Sequence, residues 1–313
     1  MLFNRKKTGK GHLAWGIFYG IALTGFTVYT LLDAFVLPKN VVALENNNTE
    51  RQTIEETGTI EGKQAVVTKN SYESEDISIN ITTKYEYDTK IYIADVTVSD
   101  VSFLRAGLAN GVFGRNIKET TSDIAKENNA IFAINGDFYG FRDSGPVIRN
   151  GVLYRSNERS GSNDVLAVYN DGSFVTMKEE NVDSQNLLDS GVLQLFSFGP
   201  SLVDNGQISV SANQEVEQSM NSNPRTAIGM ISPLHYVFVV SDGRTSESAG
   251  LSLAQLAAVM QDAGCQCAYN LDGGGSSTMW FMGDVVNNPT TNGNSISERK
   301  VSDIVSVSYT HLT

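Results

Sequence analysis

Asn270, Leu271, Asp272, Gly273, Gly274, Gly275, Ser276 and Ser277 place one carboxylate, three glycines and two hydroxyls in a single short stretch. Glycines reach backbone angles closed to other residues, so successive amides can line one concavity that accepts an anion. Asp272 on one side and Ser276 and Ser277 on the other surround that point with further polar groups. A sharp turn capped by Asp272 is the competing reading. A P-loop would continue into Gly-Lys-Ser/Thr and a dinucleotide site would read GxGxxG, and neither pattern is present.

Three other segments concentrate polar groups beside apolar runs: Asn135-Gly136-Asp137-Phe138-Tyr139, Asn223-Pro224-Arg225-Thr226 and Ser241-Asp242-Gly243-Arg244-Thr245. Arg225 lies immediately before an apolar run, which puts its guanidinium at a strand start. Taken singly, Asp137 is also a turn residue, Arg225 one half of an ion pair and Asp242-Gly243 a hairpin turn. Histidine narrows the chemistry. His12 and His311 lie near the termini, leaving His235 alone inside the body of the chain. That excludes a histidine-rich zinc site, and any bound metal is expected to be a calcium-like divalent cation held by oxygen. A Ser-His-Asp triad would have to use His235, which opens a strand and reads as structural.

These residues need elements to hold them. Ile77, Ile79 and Ile81, then Ile91, Ile93, Val96 and Val98, alternate as paired strands do. Asn170-Asp171-Gly172 and Asp204-Asn205-Gly206 mark two further hairpins. Ser252 and Gln255 form a capping-box pair at the start of a helix carrying Leu253, Leu256, Ala257 and Met260, and Gly264 stops it. A strand from Cys267 to Leu271 then delivers the glycine turn. A helix over 121–128 leads likewise into the run Ala130 to Ile134 and Asn135-Gly136-Asp137, so both places read helix, short strand, Asn-x-Asp. The expected fold is α+β, a β-rich mixed-sheet domain with a few helices.

Leu13 to Leu32 carry no formal charge, and apolar character resumes from Ala34 to Leu37, long enough for a membrane-spanning helix over 13–37. Arg5, Lys6, Lys7 and Lys10 precede it, so the positive-inside rule keeps 1–12 in the cytoplasm as a basic tail and sends the rest outside. A cleavable signal peptide ending near Val41-Val42-Ala43, giving a secreted protein, is the alternative. Residues 38–75 read as a polar linker and 76–313 as the functional domain. The net charge is -12 although the N-terminal tail is basic, which argues against nucleic acid as a partner. Cys265 and Cys267 match neither a disulfide framework nor a CxxC motif and are expected to be buried free thiols.

In their order along the chain, AINGDFYGF (133–141), NPRTAIG (223–229), SDGRT (241–245) and NLDGGGSST (270–278) resemble the phosphodiester glycosidase family over roughly 130–305. The resemblance implies a hydrolase acting on a sugar-1-phosphodiester of the GlcNAc-1-phosphodiester type, with bacterial relatives associated with exopolysaccharide and cell-wall glycans. A phosphate leaving group is a weak base, so such a site needs charge stabilisation on the departing phosphate and a carboxylate near the anomeric carbon. On this reading Arg225 grips the phosphate, assisted by the Gly273, Gly274 and Gly275 amides and Ser276. Asp272 acts as nucleophile or base, with Asp137 and Asp242 in reserve. Asn135, Asn270, Ser277, Arg244 and Thr226 complete the substrate-binding set. A surface protein that binds phosphoglycans without cleaving them, and a phosphodiesterase or transferase that breaks the P–O bond, are the competing functions.

Overall fold

Ile77–Glu86 and Thr89–Val98 form a long antiparallel hairpin, as their alternation predicts. They belong to a nine-stranded sheet that draws strands from both halves of the chain. From one edge the strands run Gln207–Ile208, Ser201–Asp204, Cys267–Asn270, Thr226–Ser232, His235–Ser241, Thr89–Val98, Ile77–Glu86, Ser71–Glu73 and Val66–Val67. This computed structural model describes residues 9–43, 65–211, 214 and 222–309. Arg5, Lys6, Lys7, His311 and residues 44–64 of the polar segment lie outside the described residues.

A five-stranded sheet is ordered Asp284–Val285, Met279–Phe281, Ala130–Asn135, Asp303–Ser308, Leu104–Leu108. A second is ordered Val152–Arg155, Val147–Arg149, Val192–Phe196, Asp164–Tyr169, Phe174–Lys178. The α+β, β-rich class is what the chain adopts, and within it every ladder of these sheets is antiparallel. Tight turns join many of the neighbours, and antiparallel pairs need no helical crossover.

Period-two alternation places the core. Ile228, Tyr236, Phe238 and Val240 face inward against Phe132, Ile134, Phe196 and Val305 from the smaller sheets. Ala227, Val237 and Val239 face the other way and are covered by the helix Leu253–Asp262. That helix starts on the full capping box of Ser252 and Gln255, worth about 1 kcal/mol for the serine cap. It buries Leu253, Leu256, Ala257, Val259 and Met260, each large apolar side chain contributing about 1.5–3 kcal/mol. Gly264, at φ +88, turns the chain into Cys267–Asn270. Thr121–Glu127 covers the outer face of the sheet that holds Ala130–Asn135. Cys265 and Cys267 are buried free thiols, and burial pushes both up to about 12.

At the N-terminus, Gly9–Phe35 is a helix whose segment Trp15–Phe35, with mean hydropathy 1.4, is apolar and long enough to cross a membrane and is 0% buried against the domain. The chain after it does not stand clear of the domain. Lys39–Ala43 pairs with Val112–Arg115, and Asn116 Nδ2 donates to the Leu37 carbonyl at 3.0 Å. Val66–Val67 and Ser71–Glu73 are sheet strands as well. The linker expected over 38–75 is therefore folded at both ends. Its strands are too short to show a period of two in the sequence.

Candidate active site

The two Asn-x-Asp echoes meet. Ala130–Asn135 and Cys267–Asn270 end side by side, and the buried Asn135 fastens them. Its Nδ2 donates to the Asp272 carbonyl at 2.7 Å, and its Oδ1 accepts from Thr226 Oγ1 at 2.8 Å and the Thr278 amide at 3.2 Å. The Asp272 amide donates to the Gly136 carbonyl. Leu271 donates its amide to the Thr226 carbonyl. One side chain and three strands thus hold the glycine turn against the strand ends.

Within the turn, Asp272 is 8% exposed. Its Oδ2 accepts from Ser276 Oγ at 2.6 Å and lies 3.0 Å from Arg299 Nη2. Arg299 also reaches Ser276 Oγ through Nε at 2.9 Å and the Gly273 carbonyl at 3.1 Å. Burial raises the Asp272 pKa above the ordinary carboxylate range, and Arg299 and Ser276 offset part of that rise. Gly274 sits at φ +61, and a Cβ there would come within 2.9 Å of Arg244 Nη2. Glycine is needed on both counts. Arg244 itself is held by Asn223 Oδ1 at 2.8 Å and the Thr291 carbonyl at 2.5 Å. Burial, then repulsion from Arg299, lowers its pKa. Two guanidiniums therefore flank the turn.

The Gly274 amide has a partner within the protein. Gly274 donates its amide to the Pro224 carbonyl at 2.8 Å, and the Ser276 and Ser277 amides donate back to Gly273 and Gly274 inside a single 3-10 turn. Ser277 Oγ and Asn270 Oδ1 are buried with no hydrogen-bond partner among the described residues, while Asn270 Nδ2 donates to the Gly199 carbonyl at 2.7 Å. Arg225 is 2% exposed, with Nε on the Leu251 carbonyl at 2.9 Å and its backbone amide on Ser241 Oγ. It stands immediately before the strand Thr226–Ser232.

The other two aspartates have separate settings. Asp242 accepts from the Asn288 amide at 2.8 Å, Asn288 Nδ2 at 3.1 Å and the Tyr92 hydroxyl at 3.2 Å. It lines a cleft of about 430 Å³ together with Lys90, Thr245, Glu247 and Asn288. Asp137 is fully buried in a triad with Arg149 and Asp303, 3.0 Å from Arg149 Nη2, which is 2.8 Å from Asp303 Oδ2. Burial pushes against its charge, but Arg149, Arg142 and the amides of Ser197 and Tyr139 hold its pKa below the usual range. Asp303 takes the opposite direction, raised by burial to about 7. Gly136 allows this packing, since a Cβ there would overlap Asp303 Oδ1.

Sequence reasoning missed Arg299, Arg149 and Asp303. Arg299 lies in a polar stretch without periodicity. Asp303 and Arg149 each sit among apolar strand residues, and a charge at such a position was the available signal of a buried partner. Among the described residues, no group of three or more His, Cys, Asp and Glu is placed to hold a metal. His235 is paired on the sheet surface with Asp95 at 2.9 Å, far in sequence from the turn and in keeping with a structural role.

The chain is similar to known proteins across this region. The phosphodiester glycosidase family matches residues 128–308. The SPbeta prophage-derived uncharacterized protein YomE of Bacillus subtilis is 30% identical over 203 residues, covering 63% of this chain and 31% of that protein. N-acetylglucosamine-1-phosphodiester alpha-N-acetylglucosaminidase of Homo sapiens is 30% identical over 210 residues, covering 60% of this chain and 39% of that enzyme. The chain thus matches well under half the length of these relatives. Among solved structures, the catalytic domain of the zebrafish N-acetylglucosamine-1-phosphodiester alpha-N-acetylglucosaminidase, auto-inhibited by its pro-peptide, has the same fold with a TM-score of 0.58 at 20% identity, covering 75% of this chain and 83% of that one. A hypothetical protein from Synechocystis gives 0.51 at 15% identity, covering 74% and 62%. The family match takes in more than half of the chain, from the strand that carries Asn135 through Arg225 and the glycine turn to Arg299 and Asp303, and the chain belongs to the phosphodiester glycosidase family.

Proposed function

We propose that this chain hydrolyses the glycosidic bond of a sugar-1-phosphodiester, of the GlcNAc-1-phosphodiester type its named relatives act on, in a glycan outside the cytoplasm. The observation that carries the reading is the buried Asp272 carboxylate, clamped by Arg299 and Ser276 beside a glycine over which Arg244 lies. Two guanidiniums flanking one point suit a phosphate, whose oxygens match their planar forks. In this arrangement Arg244 and Arg299 stabilise the departing phosphate, and Arg225 positions the strand beneath. Asp272 faces the anomeric carbon, where positive charge develops as the C–O bond breaks. Burial strengthens it as a base or nucleophile by raising its affinity for a proton or carbon centre. The cleft lined by Asp242, Thr245 and Asn288 is within the size range of small-molecule sites.

Exopolysaccharide or cell-wall phosphoglycans fit an enzyme tethered by Trp15–Phe35, with the N-terminus in the cytoplasm and the domain outside. Hydrolysis of a sugar-1-phosphodiester in 18O-labelled water tests the reaction. Label in the released sugar supports glycosidic cleavage. Label in the phosphate would replace it with P–O cleavage, and substrate binding without turnover would replace it with a phosphoglycan-binding surface protein.

A further inference from the structure

Away from the glycine turn, a cleft of about 230 Å³ is lined by Phe113, Arg115, Tyr139, Arg142, Tyr154 and Arg155, with Asp143 as its one acid. Its charges do not balance. Arg115 pairs with Asp143, Arg149 with Asp137 and Asp303, and Arg159 with Glu179. Among the described residues, Arg142 and Arg155 form no ion pair. Arg142 Nη2 donates to the Ser197 carbonyl. Arg155 donates to the carbonyls of Gly145 at 2.6 Å, Arg142 at 2.7 Å and Tyr139 at 3.1 Å. Carbonyl dipoles orient these guanidiniums without neutralising them. Arg142 Nε and Arg155 Nη2 are buried and have no hydrogen-bond partner among the described residues. Burial, then repulsion from Arg142 and Arg149, brings Arg155 down to about 10 even though Asp137 pulls the other way.

Asp137 acts on both guanidiniums at longer range, and with no direct ion pair these two largely buried cations favour an anion that completes the site. The walls are already built. Phe113 stacks on Tyr139 at 4.9 Å and on Tyr154 at 4.8 Å, which fixes the apolar side of the cleft. The location adds a second clue. Arg115 Nη2 donates to the Ala34 carbonyl at 3.4 Å, and the neighbouring Asn116 reaches Leu37, so the cleft lies beside the C-terminal end of the apolar helix. At that level a bilayer presents phosphate groups.

We propose that this cleft is a phosphate-binding site, separate from the glycine turn, in which Arg142 and Arg155 hold the headgroup phosphate of an anionic phospholipid. A soluble phosphate compound offers the same chemistry, and the test separates the two sources. The full chain carrying Arg244→Gln and Arg299→Gln, which silences the glycine-turn cations, is titrated with inorganic phosphate by calorimetry in a phosphate-free maltoside detergent. One phosphate per chain is expected, with affinity falling about tenfold on adding either Arg142→Gln or Arg155→Gln, the scale of removing one charge-assisted hydrogen bond. No binding in the Arg244→Gln, Arg299→Gln background would overturn the proposal, as would unchanged affinity in a folded Arg142→Gln chain. Arg155→Lys keeps the charge and guards against misfolding; it should bind more weakly than the parent and more tightly than Arg155→Gln. In nanodiscs, phosphatidylglycerol but not phosphatidylcholine should block inorganic phosphate. Equal phosphate binding in both would overturn the lipid assignment and leave the soluble source. Because the glycine-turn cations are already removed, failure of the glycosidase reading does not alter any of these outcomes.

Discussion

Arg299 Nη2 lies 3.0 Å from Asp272 Oδ2, and the same guanidinium touches Ser276 Oγ and the Gly273 carbonyl, so a cation from the loop before the last strand closes over the carboxylate of the glycine turn. This ion pair ties the protonation of Asp272 to a residue that the turn itself does not contain.

The acid limb of kcat/KM should therefore depend on Arg299. Burial raises Asp272 and Arg299 counteracts that rise, so Arg299→Gln is expected to raise the Asp272 pKa further and move the limb to higher pH. The same substitution takes away one of the two guanidiniums proposed to stabilise the departing phosphate, and plateau kcat/KM should fall on the order of 10²–10³-fold. A pH–rate profile whose acid limb stays in place would remove Asp272 as the titrating group.

Asp272→Asn leaves the shape of the turn and its bond to Ser276 largely in place while abolishing the charge. Turnover of a sugar-1-phosphodiester should drop by at least about 10²–10⁴-fold, the range for a missing acid–base or nucleophilic group, with thermal melting retained. Near-normal turnover in the folded variant would transfer the role to another carboxylate.

Gly136→Ala tests the packing behind the site. The new Cβ would overlap Asp303 Oδ1 and lie 2.5 Å from its carboxyl carbon, with no flexible neighbour to yield. A loss of about 1–3 kcal/mol or more is expected in denaturant unfolding. Stability equal to the parent would show that the Asp303 carboxylate can move aside.

Asp303 also predicts a slope of stability against pH. Its folded pKa of about 7 exceeds the unfolded value of about 4, so between these the folded state binds the extra proton. Stability from this group is fully present at the acid end and is lost as pH rises from about 4 to 7. Asp137, lowered instead, gives stability that is lost only as pH falls below the ordinary aspartate range. Asp303→Asn should flatten the 4–7 window while leaving the acid limb, as read from melting temperature across pH.

Much of the architecture is written locally. Ser252 with Gln255, the Asn-Asp-Gly and Asp-Asn-Gly turns, and the alternating isoleucines each rest on interactions a few residues apart, and all of them form as the sequence predicts. Of the candidate site, the sequence shows the cluster around Asp272, and the structure brings Asn135, Thr226 and Arg244 to it. Arg299 and Asp303 act across the fold, and a polar loop or a lone strand aspartate carries no local mark of its partner. Arg225 lies between these cases. Its type suggests a phosphate ligand, and the structure adds burial and a bond from Nε to the Leu251 carbonyl, neither of which its neighbours in sequence announce.

The pairing of Lys39–Ala43 with Val112–Arg115 has a consequence for where the chain can work. Were Trp15–Phe35 to span a bilayer as proposed, only a few residues would separate the span from the docked strand, and the domain would ride on the lipid surface without sweeping a volume above it. Under the proposed function, the search for substrate would become two-dimensional, and glycans rooted in the same membrane would be sampled at a far higher local concentration than those beyond arm's length.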